Sequence, residues 1–435
     1  MNRARRGNYL QNLQRFGVKL GLQNVAAVLA ACGDPQRRFP SIHVAGTNGK
    51  GSVCAMLASI LKTDGRRVGL YTSPHLADVR ERIRIGGRPL SEADFDRLLG
   101  RIRRTIDRLL AAGGLEAHPT YFEVLTILAF LHFAERKVDI AVIEVGMGGR
   151  FDATNVVFPL VSVITSISLD HTEYLGRTRA AIASEKAGII KPGVPVVSGV
   201  EPGVAAEVIR RRARELGAPI VPVFGRDGAL FAARTPAGFR FRYEFCGEPF
   251  AFRLKLQGRH QGENAAVAVA AARTLGCVEH PLDRRTILSG LEAAEWPGRL
   301  EIVGRRPLVL LDGAHNEDGA RALAAHVRDF VRGPLVLVFA MLKDKAVGRA
   351  AGLLFSRPEA IVLTSIPSPR AASPEEILKI ASPFRSKIRI EPDLRAAIAL
   401  ARRRAGPKGT VLVAGSLYLI GEVKKLPRRV FVGEK

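Results

Sequence analysis

Ten residues constrain this chain more than any other stretch: His43–Ser52, HVAGTNGKGS. Ile42–Ala45 reads as the end of a buried strand, Gly46–Gly51 as a glycine-rich turn with one lysine at its tip, and Val53–Ala58 as the start of an apolar helix. Strand, glycine loop and helix in that order predict a phosphate cradle. The glycines let backbone N–H groups converge without Cβ clashes, and the helix turns the positive end of its dipole toward the anion. Lys50 is placed to reach the β- and γ-phosphates of a nucleotide. The strict pattern G-x-x-x-x-G-K-[ST] is not met: Val44 stands at its first glycine and Gly51 at its Ser/Thr. An ordinary strand–turn–helix with a solvated lysine carries the same local signature, so the segment needs support from the rest of the chain.

A length of 435 residues suggests two domains rather than one, and an apolar share of 47% is enough to fill sizeable cores. No apolar run approaches the ~18–20 residues that span a bilayer. The basic opening, MNRARRGNYLQNLQRFG, has no apolar segment or cleavage site, so no signal peptide is expected. Cys32, Cys54, Cys246 and Cys277 are scattered and form no CxxC, as expected of a reduced cytoplasmic protein without disulfides or zinc. The net charge of +25 raises the question of nucleic acid. The basic residues are spread along the whole chain, however, with Arg97, Arg101, Arg104 and Arg108 on one helical pattern and Arg210, Arg211, Arg212 and Arg214 on another. No basic run is interleaved with aromatics. A solvated arginine-rich surface is the expectation, with polyanionic small substrates favoured and neither nucleic acid nor membrane as a partner.

Along the chain, residues 10–31 have the apolar spacing of one amphipathic helix (Leu20, Leu22, Val25, Val28, Leu29). A strand over 67–71 ends in Thr72-Ser73-Pro74-His75-Leu76, and Glu81–Ile85 alternates as a short edge. Ser91 caps a helix to Leu110, and Thr120–Phe133 predicts a long apolar, central helix. The strand 138–145 delivers Glu144 into the turn GMGGRFD, where a cation-holding acid beside a phosphate loop belongs. A strand over 160–167 leads to Leu169-Asp170-His171, a helix runs through Ser184–Gly188, and a strand covers 194–197. Alternating aromatics over 225–256 predict antiparallel strands at one edge of the sheet. An alanine-rich helix spans 262–275, and Trp296–Arg299 reads as a linker. Strand–helix alternation then resumes: 308–311 ending in Asp312-Gly313-Ala314-His315-Asn316, then 334–339, 361–364 and 411–414 ending in Gly415-Ser416. Such alternation implies a parallel sheet with ligand-binding residues at strand ends. Lys50, Ser73, Glu144, His171, Asp312 and His315 all fall in such loops.

Taken together, these segments closely resemble the bacterial folylpolyglutamate synthase/dihydrofolate synthase family of the Mur ligase superfamily. The matching motifs are GTNGKGS (46–52), TSPHL (72–76), ERIRI (81–85), YFEVLT (121–126), EVGMGGRFDATN (144–155), LDHTEYLG (169–176), EKAGIIKPG (185–193), HQGENAAVA (260–268), WPGRLE (296–301), DGAHN (312–316), KDK (343–345) and GSLYLIGE (415–422). They cover the chain from about residue 14 to about residue 422 in family order. The segment Phe16–Leu22 resembles the family's FG-x-K-P-G-L opening, with Leu20 in place of proline.

The resemblance implies an α/β fold: an N-terminal P-loop-type ATPase domain over 1–297 with a mainly parallel sheet, and a smaller Rossmann-like C-terminal domain over 298–435. It implies ATP-dependent ligation of L-glutamate to the carboxylate of dihydropteroate or a reduced folate through an acyl phosphate, by a cytoplasmic monomer. Gly46, Thr47, Asn48, Gly49, Lys50, Gly51 and Ser52, with Asn264, Arg299 and Asp312, match nucleotide contacts, Asp312 toward the ribose. Ser73, Glu144 and His171 match Mg²⁺ ligands, and Lys186 matches a lysine carbamylated in the superfamily, which would hold a second Mg²⁺. Thr120, Tyr121, Phe122, Glu123, Phe151, Asp152 and Ala153 match pterin-side contacts. His315 and Ser416 fall near ATP and glutamate; Lys50, His171, Lys186 and His315 are the catalytic candidates. Read without the motifs, Ser73 starts a turn, His171 pairs with Asp170 as a cap, Lys186 is a solvated helix lysine and Phe122 is a core residue. The loop begins too early for the UDP-binding domain of the cell-wall Mur ligases. A basic nucleic-acid-binding ATPase would account for the charge but not for Lys186, His171 or DGAHN. Dihydrofolate synthase and folylpolyglutamate synthase activity together are expected, with a monofunctional folylpolyglutamate synthase as the alternative.

Overall fold

The computed structural model describes residues 9–431 apart from 11, 14–16, 18–20, 226–227, 236–237 and 344–346. Of the sequence patterns above, Phe16, Val18, Lys19 and Leu20 of the opening and Asp344 and Lys345 of KDK lie outside the described residues. β1 (Ser41–Ala45) is buried at every position, as a strand covered on both faces must be, although Ser41 and His43 alternate with its apolar residues. It sits inside an eight-stranded sheet with β2 (Val68–Tyr71), β3 (Ile83–Ile85), β4 (Arg88–Pro89), β5 (Ile140–Glu144), β6 (Val161–Ile164), β7 (Val196–Ser198) and β8 (Ile220–Pro222), ordered β4-β3-β2-β5-β1-β6-β7-β8. Six strands are parallel, and β3 and β4 form an antiparallel edge. The chain leaves β1 toward β2 on one side and leaves β5 for β6 on the other. The carboxyl end of β1 therefore lies at the switch point where open α/β sheets bind ligands.

Two helical layers bury the sheet. On one face lie α1 (Gln23–Ala31), α3 (Glu92–Ala111) and α4 (Tyr121–Glu135); on the other, α2 (Lys50–Thr63), α8 (Arg259–Val278) and the helix Arg284–Ala293. α3 buries Phe95, Leu98, Leu99, Ile102 and Ile106 at three- and four-residue spacing. Ser91 caps it by accepting from the Asp94 N–H, a contact worth about 1 kcal/mol. Its arginines face outward in ion pairs, Arg97 with Asp94 and Glu135 and Arg101 with Glu135. α4 is buried nearly all round, so it carries no polar stripe. Between α4 and α8 lie the short α5 (Thr172–Leu175), α6 (Arg179–Lys186) and α7 (Val204–Glu215).

A second sheet of six strands follows: β12 (Glu301–Arg305), β13 (Leu308–Asp312), β14 (Leu335–Phe339), β15 (Ala360–Leu363), β16 (Ile388–Ile390) and β17 (Thr410–Ala414), ordered β12-β13-β17-β14-β15-β16. All but the edge strand β12 run parallel, with an apolar core on each face. The mixed α/β class expected from the alternation is thus observed.

Several local expectations change. The helix expected over 10–31 is interrupted: residues 9–10 and 12–13 are helical and α1 resumes at Gln23, because Gly17 and Gly21 between them have φ of +62° and +140°, which no helix accepts. α2 starts at Lys50 rather than Val53, so the lysine belongs to the first helical turn. The edge 81–85 splits into a 3₁₀ turn (Val79–Arg82) and β3, since Asp78 and Glu81 form a capping box. The strand expected over 160–167 ends at Ile164, where Thr165 and Ser166 turn their hydroxyls to the phosphate loop. The aromatic strands of 225–256 do not extend the large sheet. β9 (Gly228–Thr235), β10 (Gly238–Phe245) and β11 (Glu248–Phe252) form their own antiparallel sheet, whose Phe241, Tyr243, Phe250 and Phe252 pack on α8.

Candidate active site

Gly46–Gly51 is held from below by the loop after β6. The N–H of Thr47 donates to the Ser166 carbonyl at 2.8 Å, and the N–H of Asn48 to Ser166 Oγ at 3.0 Å. Thr165 Oγ1 donates to the Asn48 carbonyl at 2.6 Å. Two glycines are required by what lies beside them. A Cβ at Gly46 (φ +149°) would strike Thr165 Oγ1, and one at Gly49 (φ +85°) would strike the Asn264 side chain. Lys50 Nζ closes on the loop's own carbonyls, at 3.0 Å from Gly46 O and 3.1 Å from Thr47 O.

Glu144 ends β5, immediately beside β1. It is 4% exposed, and Oε2 accepts the N–H of Ser73 at 3.0 Å. Burial pushes its carboxyl up to about 7, opposed by the charges of Lys50, Arg299 and Arg82 and by the Ser73 hydrogen bond. Lys186, at the end of α6, is 4% exposed. Burial drives its amine down to about 7, Lys50 adds to that, and Asp170 and Asp152 pull the other way. A lysine held in that state is partly neutral near pH 7, unlike the solvated helix lysine that its local sequence resembles. His171 follows Asp170 with φ +50° and stands at the N-terminal boundary of α5, without a side-chain cap hydrogen bond among the described residues. Its own N–H donates to Asp170 Oδ1 at 2.9 Å.

Asp152 is buried and accepts from the Met147 N–H at 2.9 Å and the Thr154 N–H at 3.0 Å. The Thr154 hydroxyl also donates to Asp152 Oδ1, and lies 2.8 Å from His43 Nε2. A hydroxyl has one proton, so with Thr154 donating to the carboxylate, His43 donates through Nε2. Burial holds that histidine neutral, with its acidity near 3. Its other ring nitrogen, Nδ1, is buried with no hydrogen-bond partner among the described residues. Thr120 and Glu123 form the capping box of α4: Glu123 Oε2 accepts the Thr120 N–H at 2.7 Å. Phe122, in the same turn, lies 6.0 Å from the Tyr71 ring.

From the second sheet, Asp312 ends β13 with both carboxylate oxygens engaged, by the Leu300 and Ala314 N–H groups at 2.9 Å each. Burial raises its carboxyl and Arg299 lowers it. His315 Nδ1 lies 2.7 Å from the Gly313 carbonyl, and Ser416 caps the helix Leu417–Lys425. All of these strand-end groups line one cavity of about 1370 Å³ between the two sheets. Every site residue expected from the sequence reaches its wall except Tyr121, whose ring turns away beneath the Arg82 guanidinium at 5.6 Å. The helical period explains this: within one turn of α4, Phe122 and Glu123 face the cavity and Tyr121 does not. Sequence reasoning passed over Asp170, Ser166 and Asn316. Asn316 was visible only as the last letter of DGAHN, and its partners are remote in sequence.

Among the described residues no three His, Cys, Asp or Glu side chains gather into a ready-made metal cluster. That is compatible with Mg²⁺, which is commonly held by one or two carboxylates and completed by substrate phosphates and water. Glu144 suits it: a buried carboxylate whose charge is under-compensated, in a wall shared with the phosphate loop.

A glycine phosphate loop facing a second parallel sheet across a cleft, with acid, lysine and histidine side chains at the strand ends, defines an ATP-dependent ligase of the Mur type. The Mur ligase middle domain matches residues 44–272 and the Mur ligase glutamate ligase domain matches 298–417. The dihydrofolate synthase/folylpolyglutamate synthase of Bacillus subtilis is 38% identical over 425 residues, covering 96% of this chain and 97% of that protein. The Escherichia coli enzyme of the same name is 34% identical, covering 96% and 94%. The structure of Mycobacterium tuberculosis folylpolyglutamate synthase complexed with ADP superposes with a TM-score of 0.90 at 34% identity, covering 96% of this chain and 97% of that one. E. coli FolC in complex with DHPP and ADP gives 0.86 at 32% identity, covering 96% of each. The chain belongs to the folylpolyglutamate synthase/dihydrofolate synthase family of the Mur ligase superfamily.

Proposed function

We propose that this protein joins L-glutamate to the carboxylate of dihydropteroate and of reduced folates, consuming ATP and releasing ADP and phosphate. The observation that carries the reading is the shared cavity. It is walled by the phosphate loop, by Glu144 and Lys186, and by DGAHN and Ser416 from the opposite sheet. In the reaction, a substrate carboxylate oxygen attacks the γ-phosphorus and ADP leaves. The glutamate amine then adds to the acyl carbon, phosphate departs and the amine loses its proton. A free carboxylate is a poor acylating agent at neutral pH, which is why the phosphate is needed. The protein's part is positioning and charge compensation.

The residue roles extend the same reading. Gly46–Ser52 hold the triphosphate, with Asn264, Arg299 and Asp312 on the nucleoside side. Phe122 and Phe151 offer ring faces to the pteridine, and Asp152 and the 120–123 turn shape that end of the cavity. His315 and Ser416 face glutamate. Ser73, Glu144 and His171 hold Mg²⁺, with Lys186 as a carbamate for a second ion. The bound cation supplies compensation for phosphate charge. We place the division between an ATPase domain and a C-terminal ligase domain at 297/298, in the Trp296–Arg299 segment. A cytoplasmic monomer is our reading of the quaternary state and location; free Cys32 and Cys54, both buried, agree with a reducing compartment. A single mass near 47.1 kDa by light scattering would uphold the monomer.

Phosphate release measured side by side with dihydropteroate and with tetrahydrofolate, each with and without glutamate, tests the function. Glutamate-dependent release with both supports the bifunctional reading; release with tetrahydrofolate alone leaves a monofunctional folylpolyglutamate synthase; release with neither removes the proposal. Glu144→Gln keeps the shape and the Ser73 hydrogen bond but removes a ligand charge. It is expected to raise the Mg²⁺ concentration for half-maximal rate by about tenfold or more, with a smaller change in KM for glutamate. A variant with normal Mg²⁺ dependence and an altered glutamate KM would place Glu144 in a different role.

A further inference from the structure

The side chain of Asn316 uses every polar atom it has, and does so across the cleft. Its Nδ2 donates to Asn48 Oδ1 at 2.9 Å and to Asp170 Oδ2 at 3.0 Å. Its Oδ1 accepts the Gly319 N–H at 2.9 Å and so caps the helix Glu317–Phe330. The residue is 7% exposed. Asn48 belongs to the phosphate loop and is fixed by its main chain to the end of β6. Asp170 precedes His171 and turns its other oxygen to the His171 N–H. Asn316 stands at the end of the DGAHN loop of the second sheet. One amide therefore ties together the nucleotide loop, the His171 turn and the N-terminus of a helix from the facing half. A buried amide with all three bonds made is costly to disturb, because each broken bond strands a polar group away from water.

We propose that Asn316 is a positioning residue: its amide latches the DGAHN loop onto Asn48 and Asp170, keeping the two walls of the cleft in register for amide formation. The consequence for ligation rests on the function proposed above; the latch itself does not. The geometry makes its three bonds separable. Aspartate at this position still accepts the Gly319 N–H and is as good a cap as asparagine. It has no donors, so Asp170 would face a second carboxylate, while Asn48 can turn its own amide over and donate instead. Asp170→Asn in the same chain would return a donor to that pair.

Hydrogen exchange and ligation assays on wild type, Asn316→Asp, Asp170→Asn and the double variant, all as full-length protein, test this. In Asn316→Asp, amide exchange over residues 168–172 should speed up by about tenfold or more, while 317–323 stays protected by the retained cap. The rate of glutamate ligation should fall by about tenfold or more, and phosphate released per amide formed should rise above one as water competes for the acyl phosphate. The double variant should ligate faster than the product of the two single effects, by about fivefold or more. Unchanged exchange in 168–172 would overturn the latch. So would normal ligation in Asn316→Asp, or a double variant no better than the product of the singles. Were wild-type enzyme to ligate no folate at all, the proposed function would fall, and the exchange measurement would still decide the latch.

Discussion

Lys50→Ala is expected to reduce kcat/KM for glutamate ligation by about 10³-fold or more, equivalent to about 4 kcal/mol of transition-state stabilisation. The lysine is the cation in the first turn after the phosphate loop, and charge on the transferring phosphoryl group grows where an ammonium can meet it. The position is not a free loop tip. Lys50 is half-buried and its Nζ spans the Gly46 and Thr47 carbonyls. Removing it therefore takes away a brace of the loop as well as a phosphate partner. Lys50→Met keeps the stem and separates the two effects from gross unfolding. Both variants should retain the wild-type circular dichroism and cooperative thermal unfolding, because the loop is also anchored by Thr165 and Ser166. Turnover close to wild type in either well-folded variant would show that Lys50 does not serve the phosphates.

The second large effect is expected at Lys186. Unmodified, it would bring a positive charge to a wall already carrying Lys50, against the cation proposed at Glu144. Carbamylation reverses that sign: the neutral amine attacks CO₂, a C–N bond forms, one proton leaves, and a carboxylate with two oxygens remains. The reaction needs the unprotonated amine. Burial and Lys50 hold Lys186 at about 7 rather than near the usual lysine range, so the neutral form is available at neutral pH. Lys186→Ala should lose about 10³-fold or more in ligation, and acetate at high concentration should return part of it by placing a carboxylate in the gap. ¹³C-bicarbonate should give a carbamate carbon resonance in wild type that is missing in the alanine variant. A bare amine at Lys186 in enzyme caught turning over would end this reading and leave the residue as a direct phosphate contact.

Much of the architecture was legible because its signals are local. A phosphate loop is written in ten adjacent residues, and the buried strand β5 is written in the apolar run Ile140–Ile143, followed by Glu144, which opens onto the site. The cap of α3 is legible in Ser91 and Asp94, whereas the Thr120 and Glu123 box of α4 emerged only from the structure. Where local signals misled, a specific competitor prevailed. Gly17 and Gly21 interrupt a convincing helical stripe. The aromatic alternation over 225–256 correctly indicates antiparallel strands, but alternation carries no information about which sheet they join. The Phe241 and Phe252 rings settled that by packing on α8. Tyr121 shares a motif with Phe122 yet lies off the cavity wall, because a motif records neighbours in sequence and a helix separates them by about 100°.

The sequence alone determined the order of elements, the phosphate loop and the family, because periodicity, glycine placement and motif spacing survive without knowledge of any long-range contact. Only the tertiary structure decided the chemical state and partners of the site. Lys186 resembles a surface lysine until burial strips its water away, and Glu144 becomes a carboxylate in want of a cation for the same reason. His43 is an ordinary strand residue until Thr154, 111 positions later, links it to Asp152. Asn316 meets Asn48 across 268 residues and Asp170 across 146. Desolvation and hydrogen bonding depend on what surrounds a group in space, and that is set only when the two sheets close on one another.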